Sequence, residues 1–192
     1  MDQTTGLPLV PMTTPDTTPE GEHSGIDEAV RARYDAQIAA HGRITNMKRT
    51  LLHNTKAFDV YMEWYALADL LEEFLSARAV SLYSYAISEG NRCLVCGTFF
   101  RKILIDAGDD PDNPLLSEEE QLLMELGFSV SEDPHNIDPA LYEALRERYN
   151  DEQLVLLFAF AGMMVATNLF NTIAKVPLDE VLYEYRRTRP HD

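Results

Sequence analysis

Apolar residues recur at helical spacing along most of this chain, and no Val/Ile/Thr-rich alternating run marks a strand, so the pattern predicts an all-α protein. Ile26, Val30, Tyr34 and Ile38 fall four apart in a first helix over about 27–41, stopped by Gly42. A short piece at 45–54 precedes an amphipathic second helix carrying Phe58, Tyr61, Met62, Tyr65, Leu70, Leu71 and Phe74. A third helix over about 76–89 ends at Gly90, and Asn91 is placed to cap a fourth that runs to Ala107. Ser117 with Glu120 forms a capping box that opens a short helix to Leu126, and Asp138-Pro139 opens another to about Tyr149. Asn150 caps a long apolar helix reaching Val176, and Pro177 opens a short C-terminal one.

Within the long apolar helix, residues 154–166 (LVLLFAFAGMMVA) carry no charge. A membrane span needs about 20 such residues, and Thr167, Asn168 and Asn171 follow directly, so this predicts a core helix enclosed by other helices or by a subunit interface. Phe158, Phe160, Met163 and Met164 read as its core. Asn168 and Asn171, three apart on one face, need hydrogen-bond partners and suit a helix junction or a pocket near the cysteines.

A length of 192 residues fits one domain over 26–192. The first 25 residues hold six Thr and four Pro but no Lys or Arg, which excludes a signal peptide and predicts a disordered or extended tail. Sixteen basic residues stand against 32 acidic ones, and a formal charge of −16 repels phosphate backbones, arguing against nucleic acid as a partner. Two cysteines are too few for a secreted disulfide framework, which points to a cytoplasmic protein. The aromatic-rich second helix and the long apolar one offer more hydrophobic surface than one small bundle hides, predicting a homo-oligomer.

Cys93 and Cys96 form a Cys-x-x-Cys pair in a first helical turn. Unpaired backbone N–H groups there favour thiolate over thiol, and one turn brings the sulfurs within reach of a disulfide. Arg92, Arg101 and Lys102 add positive charge nearby in sequence. Structural alternatives are two buried small hydrophobes or a zinc site, although the five histidines show no paired spacing and no cofactor is required.

The run Gly90-Asn91-Arg92 before Cys93-Leu94-Val95-Cys96, with Ala-Thr-Asn-Leu-Phe-Asn at 166–171 and Val-Pro-Leu-Asp at 176–179, resembles the alkylhydroperoxidase D and carboxymuconolactone decarboxylase superfamily over about 26–190. That resemblance implies an alkylhydroperoxidase D-like helical bundle with the Cys pair at a helix N-terminus, assembled as trimers or hexamers. It also implies thiol-dependent reduction of a peroxide or a disulfide, with Cys96 as attacking thiol, Cys93 as resolving partner and a thioredoxin-like or lipoyl-type reductant. The peroxidase form carries a proton-relay His four residues after the second Cys and a Glu twelve before the first; here Phe100 and Ser81 stand there. A phenyl ring accepts no proton, so slow peroxide turnover is expected. Glu89 is the candidate substitute base, against the alternative of a solvated charge at a helix end. Tyr83 and Tyr85 read as core or interface aromatics, and His53 as a surface loop residue. The other functions compatible with the sequence are decarboxylase-like action on a small organic acid or lactone, against which the Cys pair counts, and a non-catalytic oligomeric or redox-sensing module, to which the lost relay lends weight.

Overall fold

A computed structural model describes residues 8–13 and 28–187, and among these the protein is helical with no strand. The elements are α1 (Glu28–His41), α2 (Asn46–Leu51), α3 (Thr55–Met62), α4 (Trp64–Glu72), α5 (Ala77–Gly90), α6 (Leu94–Asp106), α7 (Glu118–Glu132), α8 (Pro139–Arg148), α9 (Asp151–Ile173) and a 3₁₀ turn, Glu180–Tyr185. Local chemistry sets most boundaries. Thr45, Asn54, Ser76, Ser117, Asp138 and Asn150 each cap a helix by accepting a backbone N–H. The capping boxes at Ser117/Glu120 and Asn150/Gln153 are both complete.

Several boundaries depart from the sequence reading. The amphipathic second helix is two helices, α3 and α4, parted at Glu63, and the short piece before it contains α2. Helix α7 continues past Leu126 to Glu132, because its apolar stripe keeps packing on α5. Asn91 does not cap α6; Cys93 does, with its own sulfur. Residues 8–13 lie extended across this chain's own α2 and the end of α9: Leu9 N donates to Ala174 O and Thr13 N to Arg49 O. The remaining residues of the expected 1–25 tail lie outside the described ones.

Helix α5 is the axis of the core, packed against α4, α6, α7 and α9. Tyr83, Ile87, Leu123, Leu126, Leu157 and Phe160 meet there, nearly or wholly excluded from water. Gly127 allows the α5–α7 crossing, since a Cβ there would sit 2.8 Å from Ala86 Cβ and 3.1 Å from the Tyr83 carbonyl oxygen. A smaller cluster of Met47, Leu51, Leu52, Phe58, Ala174 and Val176 ties α2 and α3 to the chain beyond α9.

Helix α9 is 23 residues long, and by length and composition it could cross a membrane. Its buried stripe holds Leu157, Phe160, Met164 and also Thr167, Asn168 and Asn171, so it serves as a core helix. It is not enclosed on every side, however: Val155, Phe158, Leu169 and Ile173 are exposed, which removes Phe158 from the expected core.

Candidate active site

The turn from α5 into α6 positions the cysteines. Cys93 N donates to Ser88 O at 3.0 Å and Arg92 N to Glu89 O at 2.9 Å, a Schellman closure with Arg92 in the left-handed region at φ 54°. The chain then swings into α6 with Cys93 as N-cap, and the Cys93 Sγ accepts the Cys96 N–H at 3.4 Å. Gly90 lies beneath Ser131, whose Oγ would be 2.0 Å from any added Cβ, so the end of α7 presses directly on this turn.

Both sulfurs are buried. The Cys96 thiol donating to it, helped by the N–H groups of Cys96 and Val95 and the Thr172 hydroxyl, holds the Cys93 thiol below its ordinary range despite burial. Cys96 is pushed well up, because it bonds to Cys93, is buried and faces the charge on Cys93; the Asn171 amide offsets only part of this. When the reduced pair loses one proton, the negative charge therefore falls on Cys93 and the remaining proton stays on Cys96. The Asn171 Nδ2 contacts the Cys96 Sγ at 3.1 Å and the Met47 Sδ at 3.3 Å, while its Oδ1 is buried without a partner among the described residues. Asn171 thus belongs to the site, whereas Asn168 spans the α5–α9 junction to Ile87 O and Ser88 Oγ.

Cys96 opens onto a mostly apolar cavity of about 80 Å³, walled by Trp64, Tyr65, Phe99, Phe100 and Met164 and also reached by Lys48 and Asp179. Phe100 is buried with its ring edge-on to Phe99 at 5.2 Å. Lys48 donates to Gln37 Oε1 and, at 2.8 Å, to the Tyr65 hydroxyl. Burial, reinforced by Arg43, brings its pKa down to about 8. These groups were missed in the sequence. The available signal was that Met47, Lys48, Leu51 and Leu52 share one face of a helix, placing a lysine inside an apolar stripe.

Glu89 is not brought to the sulfurs. Its carboxylate lies over Gly97 and pairs with Arg187 at 3.1 Å, and no hydrogen bond joins it to either cysteine. Ser81 is half-buried on α5. Tyr83 is a core residue donating to Leu157 O, Tyr85 lies against Arg101 and Glu89, and exposed His53 bonds Pro11 O. The expected positive field is largely neutralised, with Arg101 paired to Asp112 and Lys102 to Asp106.

Two solved structures share this architecture. One, described as an alkylhydroperoxidase AhpD core and uncharacterized peroxidase-related protein from Ralstonia eutropha JMP134, superposes with a TM-score of 0.68 at 18% identity, over 90% of this chain and 97% of that one. An uncharacterized peroxidase-related protein from Silicibacter sp. TM1040 superposes with a TM-score of 0.72 at 15% identity, over 91% and 98%. The fold is alkylhydroperoxidase D-like. The likeness is one of fold: no protein-family profile matches the chain, and no curated protein matches it in sequence. On this alkylhydroperoxidase D-like scaffold the dithiol occupies the start of α6, between the core axis α5 and the polar end of α9.

Proposed function

We propose that the protein is a thiol-dependent oxidoreductase that reduces a peroxide through Cys96 and Cys93. The observation that carries this reading is the pair itself: two buried sulfurs one helical turn apart, Cys93 with its pKa lowered by hydrogen bonds and Cys96 lining a cavity. Cys93, as thiolate, takes the proton of Cys96 through their shared hydrogen bond and so performs the task of the missing relay histidine. The Cys96 thiolate then attacks the nearer peroxide oxygen; an S–O bond forms, the O–O bond breaks, and the leaving alkoxide takes a proton to become an alcohol. The Cys93 thiol attacks the resulting sulfenic acid, forming the S–S bond and releasing water. A dithiol donor of thioredoxin-like or lipoyl type returns the pair to its reduced form by exchange.

The test is trapping of the intermediate. In Cys93→Ser, which lacks the base that takes the Cys96 proton, excess hydrogen peroxide should leave a dimedone adduct on Cys96 by mass spectrometry, formed far more slowly than the parent's disulfide, whereas Cys96→Ser should consume no peroxide. An adduct on Cys93 in Cys96→Ser would reverse the roles. A disulfide that forms under mild oxidation without peroxide turnover would instead support disulfide exchange or sensing, a reading favoured by the apolar Phe100 at the relay position.

A further inference from the structure

Lys48 is 4% exposed, yet both of its hydrogen-bond acceptors, Gln37 and the Tyr65 hydroxyl, are neutral. An ammonium carries three donors, so one N–H remains unassigned. No carboxylate forms an ion pair with it among the described residues. The carboxylate of the same cavity, Asp179, accepts the Asn46 N–H and stands against Arg43 and Arg49 instead. Burying an ammonium without a counter-charge is costly, and its lowered pKa records that cost. An anion bound at Lys48 would supply the missing charge. Trp64, Phe99 and Phe100 give the cavity an aromatic side.

We propose that Lys48 and the Tyr65 hydroxyl form the anion-binding end of this cavity, and that its ligand is a small organic carboxylate whose apolar body lies against Trp64 and Phe100. The proposal rests on the peroxidase reading only for orientation: the carboxylate end sits at Lys48 and Tyr65, and the end to be reduced points at Cys96. The cavity is compact, so the fitting ligands are short-chain or single-ring acids rather than fatty acids.

Trp64 is the chain's single tryptophan and lines the cavity, so its fluorescence reads occupancy directly. The full reduced chain is titrated with sodium butyrate and sodium benzoate, and with butyramide and benzamide as neutral controls of the same shape. Both carboxylates are expected to give a saturable change, with the amides at least tenfold weaker. Lys48→Gln should weaken carboxylate binding tenfold or more, Tyr65→Phe severalfold, and Lys48→Arg should retain part of it. Unchanged helicity and cooperative unfolding in Lys48→Gln separate lost binding from lost folding. The double variant Cys93→Ser/Cys96→Ser should bind carboxylate while consuming no peroxide, so failure of the anion site and failure of the peroxidase reading are distinguishable. No saturable response to either acid, equal affinity for acid and amide, or full affinity in Lys48→Gln would each overturn the proposal.

Discussion

At the scale of single residues, Lys48 links binding to stability. In the unfolded chain its ammonium has the ordinary pKa of 10.5, and in the fold burial brings it to about 8. Between those values the unfolded state binds more protons, so stability should rise with pH across that window, and below pH 8 the full cost of the buried charge is present. Lys48→Met is therefore expected to raise stability at pH 7 by about 1–2 kcal/mol and to flatten the rise between pH 8 and 10.5. Urea denaturation in the Cys93→Ser/Cys96→Ser background checks this without interference from the thiols. Asn171→Leu removes the amide that lowers the Cys96 pKa, and peroxide consumption should fall by about 10- to 100-fold while the disulfide still forms. Phe100→His places an imidazole on the cavity wall beside Cys96, where general-base help is worth about 10² to 10⁴ in rate. Stopped-flow peroxide kinetics measure both variants, and an inert Phe100→His would show that Cys93 already accepts the proton.

At the scale of elements, the α5–α7 crossing supports the turn that carries the cysteines. Gly127 brings the helices together against backbone atoms of Tyr83 and Ile87, which cannot yield as a flexible side chain would. Gly127→Ala is expected to destabilise the protein by about 1–3 kcal/mol, despite the better helix propensity of alanine, because overpacking outweighs it. Thermal unfolding measures the loss; an unchanged or raised midpoint would mean that the crossing relaxes freely. The same helix pair carries Gly90 under Ser131, so strain introduced at Gly127 should also lower the rate of disulfide formation.

At the scale of the whole molecule, the exposed face of α9 stands out. Val155, Phe158, Leu169 and Ile173 are 65%, 41%, 55% and 61% exposed along one stripe of the helix. We propose that copies of this chain cover it, in the trimer or hexamer that the sequence resemblance implies. A formal charge of −16 sets copies against one another, so association should strengthen with salt. Light scattering should give a multiple of 21.8 kDa, and Leu169→Glu with Ile173→Glu should return the protein to monomers. A monomeric mass for the parent across concentration and salt would refute this.

The helices were legible in the sequence because their determinants are local: a capping side chain reaches three residues and an apolar stripe repeats every turn. Ser117/Glu120 and Asn150 announce their helices, and the Cys93/Cys96 spacing announces a dithiol at a helix start. The break at Glu63 and the extension of α7 were not visible, since packing rather than propensity decides them. The site is still less local. Lys48 from α2, Tyr65 from α4 and Asn171 from α9 meet at Cys96 only after the bundle closes, across separations that carry no spacing signal. Glu89 stood near the cysteines in sequence, and Arg187 and Gly97 hold it elsewhere. The sequence by itself determined the helices and the dithiol. Which sulfur holds the proton, and which charge faces the cavity, were decided by burial and by hydrogen bonds that exist only in the folded chain.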